Sequence, residues 1–144
     1  MPYDPALVQP MRDEMTAMGF TELVDGASVD AAMAQAKQGT TLVAINSVCG
    51  CAAGAARPAL RIALQADHRP DRIVTVFAGQ DLEATATARA HFADYPPSSP
   101  SLVLFKDGEV AHFVPRHQIE SRPAEAIAFD LVEAFEKHCG SPAS

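Results

Sequence analysis

Cysteine is scarce in this 144-residue chain, with three in all, and that scarcity excludes a class of folds. Three is too few for a small secreted scaffold stapled by disulfides, and an odd count cannot pair completely. Basic runs are missing too. Eighteen acidic against eleven basic residues leave a net charge of −7, which argues against a nucleic-acid surface or an anionic membrane as partner. No uncharged apolar stretch approaches the roughly 20 residues of a membrane-spanning helix. The opening Met1-Pro2-Tyr3-Asp4 lacks the basic start and apolar core of a signal peptide, so a cytoplasmic location is expected. Internal repeats and low-complexity tracts are absent. What remains is ordinary globular composition, 48% apolar and 20% charged, enough to core a single domain over residues 1–144.

The chain is organised around the stretch that ends at Pro58. Leu42 to Ile45 is a short, partly β-branched apolar run, as a buried strand requires. Asn46-Ser47 ends it. Cys49-Gly50-Cys51 follows, then small residues that enter a helix. A helix N-terminus presents unpaired N–H groups and partial positive charge, both of which stabilise a thiolate. Strand, paired cysteines and helix start together point to thiol–disulfide chemistry. Electrostatics alone favours Cys51 as the low-pKa thiol, since it lies deeper in the helix start. Pro58 permits two versions: a kink in a helix that begins at Cys51, or the first turn of a shorter helix that leaves the cysteines in a loop.

Around this centre, Asp4-Pro5 reads as a helix start, with Val8, Met11, Met15 and Met18 at helical spacing and Gly19 as the stop. Pro10 either kinks that helix or marks its true beginning. Phe20–Val24 reads as a short strand, and Ser28 as the cap of a second helix running to Lys37. Leu60–Ala66 is helical, Ile73–Phe77 a second buried strand, and Asp81 the cap of a helix over Leu82–Phe92. After the proline-dense Tyr95–Pro100, a strand over Ser101–Phe105 turns at Asp107-Gly108 and returns over Glu109–Val114. Ser121 with Pro123 opens a last helix striped by Ile127, Leu131 and Phe135. Lys137 and His138 lie in its final turn, and Gly140 closes it. Residues 41–139 thus read as a β-α-β-α-β-β-α core, an α/β mixed sheet with helices on both faces. Residues 1–40 form an N-terminal helical extension.

That order resembles the thioredoxin fold, whose redox cysteines follow the first core strand and whose hairpin is preceded by a cis-proline. Pro100 stands at the corresponding place. The spacing departs from the C-x-x-C usual in thioredoxins and glutaredoxins. Asn46-Ser47-Val48-Cys49-Gly50-Cys51-Ala52-Ala53-Gly54, with Ala56-Arg57-Pro58, is instead similar to the signature of the bacilliredoxins. Pro10–Glu14, Gly19-Phe20, Arg116–Glu120 and Cys139 extend the similarity over nearly the whole chain. The resemblance implies removal of bacillithiol, a low-molecular-weight thiol, from mixed disulfides on client proteins, with bacillithiol as co-substrate and no bound cofactor. It implies Cys49 as nucleophile, Cys51 as resolving thiol, and Gly50 and Pro100 at the substrate. Glycine between the cysteines suits the small ring that a Cys49–Cys51 disulfide closes.

Other readings stay open beside it. General disulfide isomerase or reductase activity uses the same motif. A C-x-C metal module would need further ligands, with His117, His138 and Cys139 as candidates. A partner-binding module would use the groove around Pro100 without redox chemistry. Cys139 is either a redox partner or inert packing. Arg57 either attracts an acidic thiol conjugate or is a surface arginine. Asn46 and Ser47 either bond to a cysteine sulfur or simply end the strand, and His117 either acts at the site or is a solvated loop histidine.

Overall fold

Asp4 and Pro5 start a helix as their chemistry requires: the Asp4 carboxylate accepts the Ala6 N–H at 2.9 Å, and Pro5 fills the first helical position, where no donor is needed. The computed structural model describes residues 2–140. Met1 and residues 141–144, the ends of the expected 1–144 domain, lie outside the described residues. This first helix, α1 (Pro5–Ala17), continues through Pro10, so that proline neither starts nor ends it.

Strand β1 (Thr21–Glu22) follows, shorter than the expected Phe20–Val24, and then α2 (Gly26–Gln35). The cap of α2 is Asp25, not Ser28. Asp25 accepts the Ser28 N–H at 2.8 Å, and the Ser28 hydroxyl meets the Asp25 N–H at 3.4 Å, which makes Ser28 the reciprocal partner inside the first turn. Next come β2 (Thr40–Asn46), α3 (Arg57–Ala63), β3 (Arg72–Phe77), α4 (Leu82–Ala90), β4 (Ser101–Lys106) and β5 (Glu109–Val114). Asp81 precedes α4 but does not cap it, because its carboxylate receives both terminal nitrogens of Arg12, at 2.9 and 3.0 Å. Two further helices close the chain, the short α5 (His117–Glu120) and the long α6 (Ala124–His138). Here too the expected serine cap is absent. Ser121 bonds back to the His117 carbonyl, and Pro123 stands at the start of α6.

The five strands lie in the order β1-β3-β2-β4-β5. β1, β3 and β2 are mutually parallel neighbours, while β4 runs antiparallel to both β2 and β5. The β4–β5 turn has positive φ at Asp107 (52°) and Gly108 (88°), the handedness that suits a two-residue hairpin. Strand alternation sorts the core into two layers. Leu42, Ala44, Leu102 and Leu104 face α1, α3 and α6, where Met15, Leu60, Leu131 and Phe135 are buried. Val43, Ile45, Val103 and Phe105 face α2 and α4, with Val29, Met33, Ala84 and Ala88. The N-terminal segment therefore contributes β1 to the sheet and side chains to both layers. No helix among the described residues is long and apolar enough to cross a membrane.

Candidate active site

β2 is buried along its whole length and delivers Asn46 and Ser47 to one end of the sheet. Gly50 and Cys51 are already helical, so the cysteines stand at a helix start rather than in a loop. The helix then widens into a π turn over Ala52–Ala56 before α3. Within that turn the Arg57 N–H bonds five residues back, to the Ala52 carbonyl. Pro58 supplies the reason, since a proline has no N–H and its ring crowds the carbonyl four residues earlier. The chain thus continues the helix through Pro58 by widening the turn before it.

The Cys49 and Cys51 sulfurs lie 2.8 Å apart and are partly exposed. Hydrogen bonding from the Cys51 sulfhydryl, foremost, lowers the Cys49 pKa against the opposing effect of burial. The backbone N–H groups of Cys51 and Ala52 and the positive Arg116 act in the same direction. The Cys51 thiol is raised, by burial first and then by its neighbour Cys49. Depth in the helix start thus works opposite to the expectation from sequence: it buries Cys51 more than Cys49, while the N–H groups of the first turn lower the Cys49 pKa. Gly50 has no positive φ, and a Cβ there would meet nothing within 4 Å, so this dithiol form does not itself require glycine.

Pro100 is buried and its peptide bond with Ser99 is cis. The β2–β4 register pairs Ile45 with Ser101, which sets Pro100 abreast of Asn46, at the sheet end where the cysteine loop begins. Two arginines complete the surroundings. Arg116 stands exposed at the start of α5, and its guanidinium reaches the Ser99 carbonyl at 3.4 Å and Glu120 at 3.1 Å. It is the cation whose field both sulfurs feel.

Arg57 is a different kind of arginine. It is 2% exposed, not a surface residue. It donates to Asn46 Oδ1 at 2.8 Å, to the Ser47 carbonyl at 3.0 Å and to Glu14 at 3.2 Å. Asn46 Oδ1 also accepts the Ser47 N–H (2.9 Å), and Ser47 Oγ accepts the Cys49 N–H (3.0 Å). Asn46 Nδ2 donates to the Met11 carbonyl. Asn46 and Ser47 therefore bond to backbone and to Arg57, not to sulfur. A continuous chain of hydrogen bonds runs from α1 through a buried guanidinium to the backbone of Cys49.

Sequence reasoning left Arg116 and Glu14 without a role. The signal available was that both lie in blocks that carry the family resemblance, Pro10–Glu14 and Arg116–Glu120; their contacts to Arg57 and to the Ser99 carbonyl cross long sequence separations. For Arg57 a signal existed: it is a charge set among small apolar residues.

The remaining candidates do not converge on the sulfurs. His117 is exposed on α5. Cys139 is 6% exposed and packs beside Thr40, at the start of β2, whereas Cys49 follows the end of that strand. A seven-residue strand spans about 20 Å, so Cys139 cannot reach the pair in this fold. Burial raises its thiol pKa further. Cys139→Ala is expected to leave thiol exchange within about twofold of the parent while lowering stability by about 1 kcal/mol. An exchange assay beside urea unfolding checks both. Among the described residues no three His, Cys, Asp or Glu side chains gather as a metal site.

The family described as "Disulphide isomerase" matches residues 3–139. A bacilliredoxin of Salinibacter ruber is 57% identical over 141 residues, covering 97% of this chain and 83% of the relative. A bacilliredoxin of Shouchella clausii is 58% identical over 133 residues, covering 92% and 91%. The crystal structure of a reduced Schistosoma mansoni thioredoxin superposes with a TM-score of 0.52 at 20% identity, over 79% of this chain and 95% of that one. The fold is thioredoxin-like.

Proposed function

Because the chain belongs to the bacilliredoxin family, we propose that it is a thiol–disulfide oxidoreductase that removes bacillithiol from mixed disulfides on client proteins, with Cys49 as nucleophile and Cys51 as resolving thiol. The observation that carries this reading is the asymmetric pair: two sulfurs 2.8 Å apart, with the pKa of Cys49 lowered and that of Cys51 raised. A thiolate attacks; a protonated neighbour waits without competing.

In the first step the Cys49 thiolate attacks the bacillithiol sulfur of the mixed disulfide. A Cys49–bacillithiol bond forms, the client–bacillithiol bond breaks, and the client leaves as a thiolate that takes a proton from water. In the second step Cys51 loses its proton and attacks Cys49 Sγ, expelling bacillithiol and leaving a Cys49–Cys51 disulfide. The client cysteine is reduced and the pair oxidised by two electrons, to be restored by a further thiol. Pro100 and Gly50 frame the approach of the substrate, residues 1–144 act as one domain, and the cytoplasm, where such thiols are kept reduced, is the place of action.

The test uses the Cys51→Ser variant, exposed to a bacillithiolated model protein and weighed intact. An adduct of bacillithiol mass on Cys49, with the client thiol released, is the expected result. Absence of the adduct, while the parent protein still forms and exchanges its own disulfide, would transfer the assignment to general disulfide isomerase or reductase activity. The description of the matched family already names that activity.

A further inference from the structure

Of the seven large apolar side chains that stand exposed among the described residues, four belong to segments that meet at one end of the sheet. They are Tyr3 and Leu7 of the N-terminal segment, Val24 between β1 and α2, and Leu82 at the start of α4. We propose that this platform docks the client protein, and that it selects clients whose disulfide-bonded cysteine is flanked by lysine or arginine and by an apolar residue. The selection rests on the exchange reading above.

Contacts between distant parts of the chain hold the platform together. The Tyr3 N–H donates to Gln80 Oε1 at 2.7 Å, and Gln80 Nε2 donates to the Tyr3 carbonyl at 3.1 Å, which fastens the N-terminal segment just before Leu82. Glu83 accepts the Gly26 N–H at 2.8 Å and so brings the turn of Val24 beside the start of α4. Arg12 ties α1 to both, through Glu22 and Asp81, with its guanidinium over the Phe77 ring at 5.3 Å. These groups stand at the ends of β3 and β1, and β3 is the neighbour of β2. One and two strand spacings place them about 5 and 10 Å to one side of the strand that delivers the cysteine loop. Pro100, before β4, lies on the other side. The link to the loop is direct: the Ala78 N–H donates to the Asn46 carbonyl at 3.0 Å, and Asn46 Nδ2 to the Met11 carbonyl.

Charge selects the occupant. Asp4, Glu22, Asp25, Asp81 and Glu83 flank the apolar groups, against the single cation Arg12 in these segments among the described residues. A second copy of this chain would bring those carboxylates face to face, and their repulsion opposes it. A basic partner gains from the same field, and an apolar patch rimmed by charge is the kind of surface a protein partner covers. The exchange chemistry supplies a reason for the client to be basic. A protein cysteine enters a mixed disulfide as its thiolate, and thiolates are stabilised by neighbouring lysine, arginine or protonated histidine. Such a client carries positive charge beside the modified sulfur. With that sulfur held at the cysteine loop, two or three extended residues reach about 7–10 Å, which is the distance to the platform.

The experiment uses three short peptides that carry bacillithiol on their one cysteine, flanked by lysine and leucine, by glutamate and leucine, or by lysine and glycine. Each removal rate is divided by the uncatalysed rate with a simple thiol, which cancels the effect of the flanks on the disulfide itself. The parent protein is expected to act on the lysine–leucine peptide about fivefold faster than on the glutamate–leucine peptide, and about threefold faster than on the lysine–glycine peptide. The charge preference should shrink in about 0.5 M salt. The double variant Val24→Lys with Leu82→Lys alters only exposed side chains and should bring both ratios to about one. Ile62→Lys with Phe129→Lys makes the same change of net charge on α3 and α6 and should keep the ratios of the parent. Equal rates on all three peptides overturn the proposal and leave the exchange reading standing. Ratios unchanged by the Val24 and Leu82 pair, or lost equally in the control pair, overturn it as well. So does a parent protein that sediments as a dimer and becomes a monomer in the Val24 and Leu82 variant, because a second copy would then cover the platform. Failure to remove bacillithiol from any peptide, with Cys49 still alkylated, overturns the exchange reading. Fluorescence anisotropy of the same peptides with serine in place of cysteine then decides docking alone, and equal affinity for the lysine and glutamate forms overturns it.

Discussion

Arg57→Leu is expected to lower stability by about 2–4 kcal/mol and to slow reaction at Cys49, although Arg57 touches no sulfur. Leucine restores apolar volume but no donors. The Ser47 carbonyl and Asn46 Oδ1 lose the guanidinium that meets them at 3.0 and 2.8 Å in a buried setting. Glu14 moderates the loss, because it is 40% exposed and can turn to water when its partner is removed. The larger consequence is positional. Ser47 Oγ holds the Cys49 N–H, so a loosened Ser47 releases the turn that places Cys49 under the N–H groups of Cys51 and Ala52. The Cys49 pKa should then move up toward the ordinary thiol range, visible as a shifted pH profile of alkylation. A merely structural role would lower the unfolding midpoint and leave that profile in place. Arg57→Lys keeps the charge but not the fork, and should fall between. Arg61 also pairs with Glu14, but from an exposed site, so Arg61→Leu should stay within about 0.5 kcal/mol of the parent. An Arg57→Leu protein as stable as the Arg61→Leu control would remove the network from consideration.

Cys49→Ala is expected to reduce thiol exchange by about 10³-fold or more, because it removes the attacking atom. Substitutions at Cys51 separate the two thiols' roles. Cys51→Ala takes away the sulfhydryl hydrogen bond, the largest cause of the lowered Cys49 pKa, so that pKa should rise. Cys51→Ser keeps a donor in the same place, so Cys49 should remain more acidic than in Cys51→Ala. Thiolate absorbance or alkylation followed against pH measures the order directly. In the parent and in both Cys51 variants, reactivity at Cys49 increases as pH rises through the pKa that Cys49 has in that protein. Folding stability carries little of this signature. Deprotonation of Cys49 favours the fold as pH rises past its lowered pKa, whereas the raised pKa of Cys51 opposes the fold as pH rises past the ordinary thiol value. The two contributions run in opposite directions. If Cys51→Ala and Cys51→Ser gave the same Cys49 profile, the sulfhydryl bond would not be the source of the asymmetry.

Much of this protein is written in local chemistry. The apolar runs Leu42–Ile45 and Ser101–Phe105, the Asp107-Gly108 turn and the stripe of α6 each depend on residues close together in the chain, so a reading of adjacent side chains finds them. The Cys49-Gly50-Cys51 motif is local as well, and so is the strand–helix junction that carries it. Caps were less legible. Asp25, Ser28, Asp81 and Ser121 are all competent capping residues, and only the competing partners, such as Arg12 on Asp81, decide which of them caps.

The rest belongs to the tertiary structure. Which cysteine is the more acidic depends on where the helix N–H groups and Arg116 point, and on how deeply each sulfur lies. Arg57 reaches Glu14 across 43 positions, and the π turn before Pro58 shifts the helical phase on which any estimate of its orientation would rely. Cys139 and Cys49 share a family resemblance but sit at opposite ends of β2, a separation that no spacing in the chain expresses. Motifs are set by neighbours in sequence, and the sequence alone determined them here. Charge, depth and reach at a sulfur are set by residues that meet only when the sheet has formed, so only the fold could decide them.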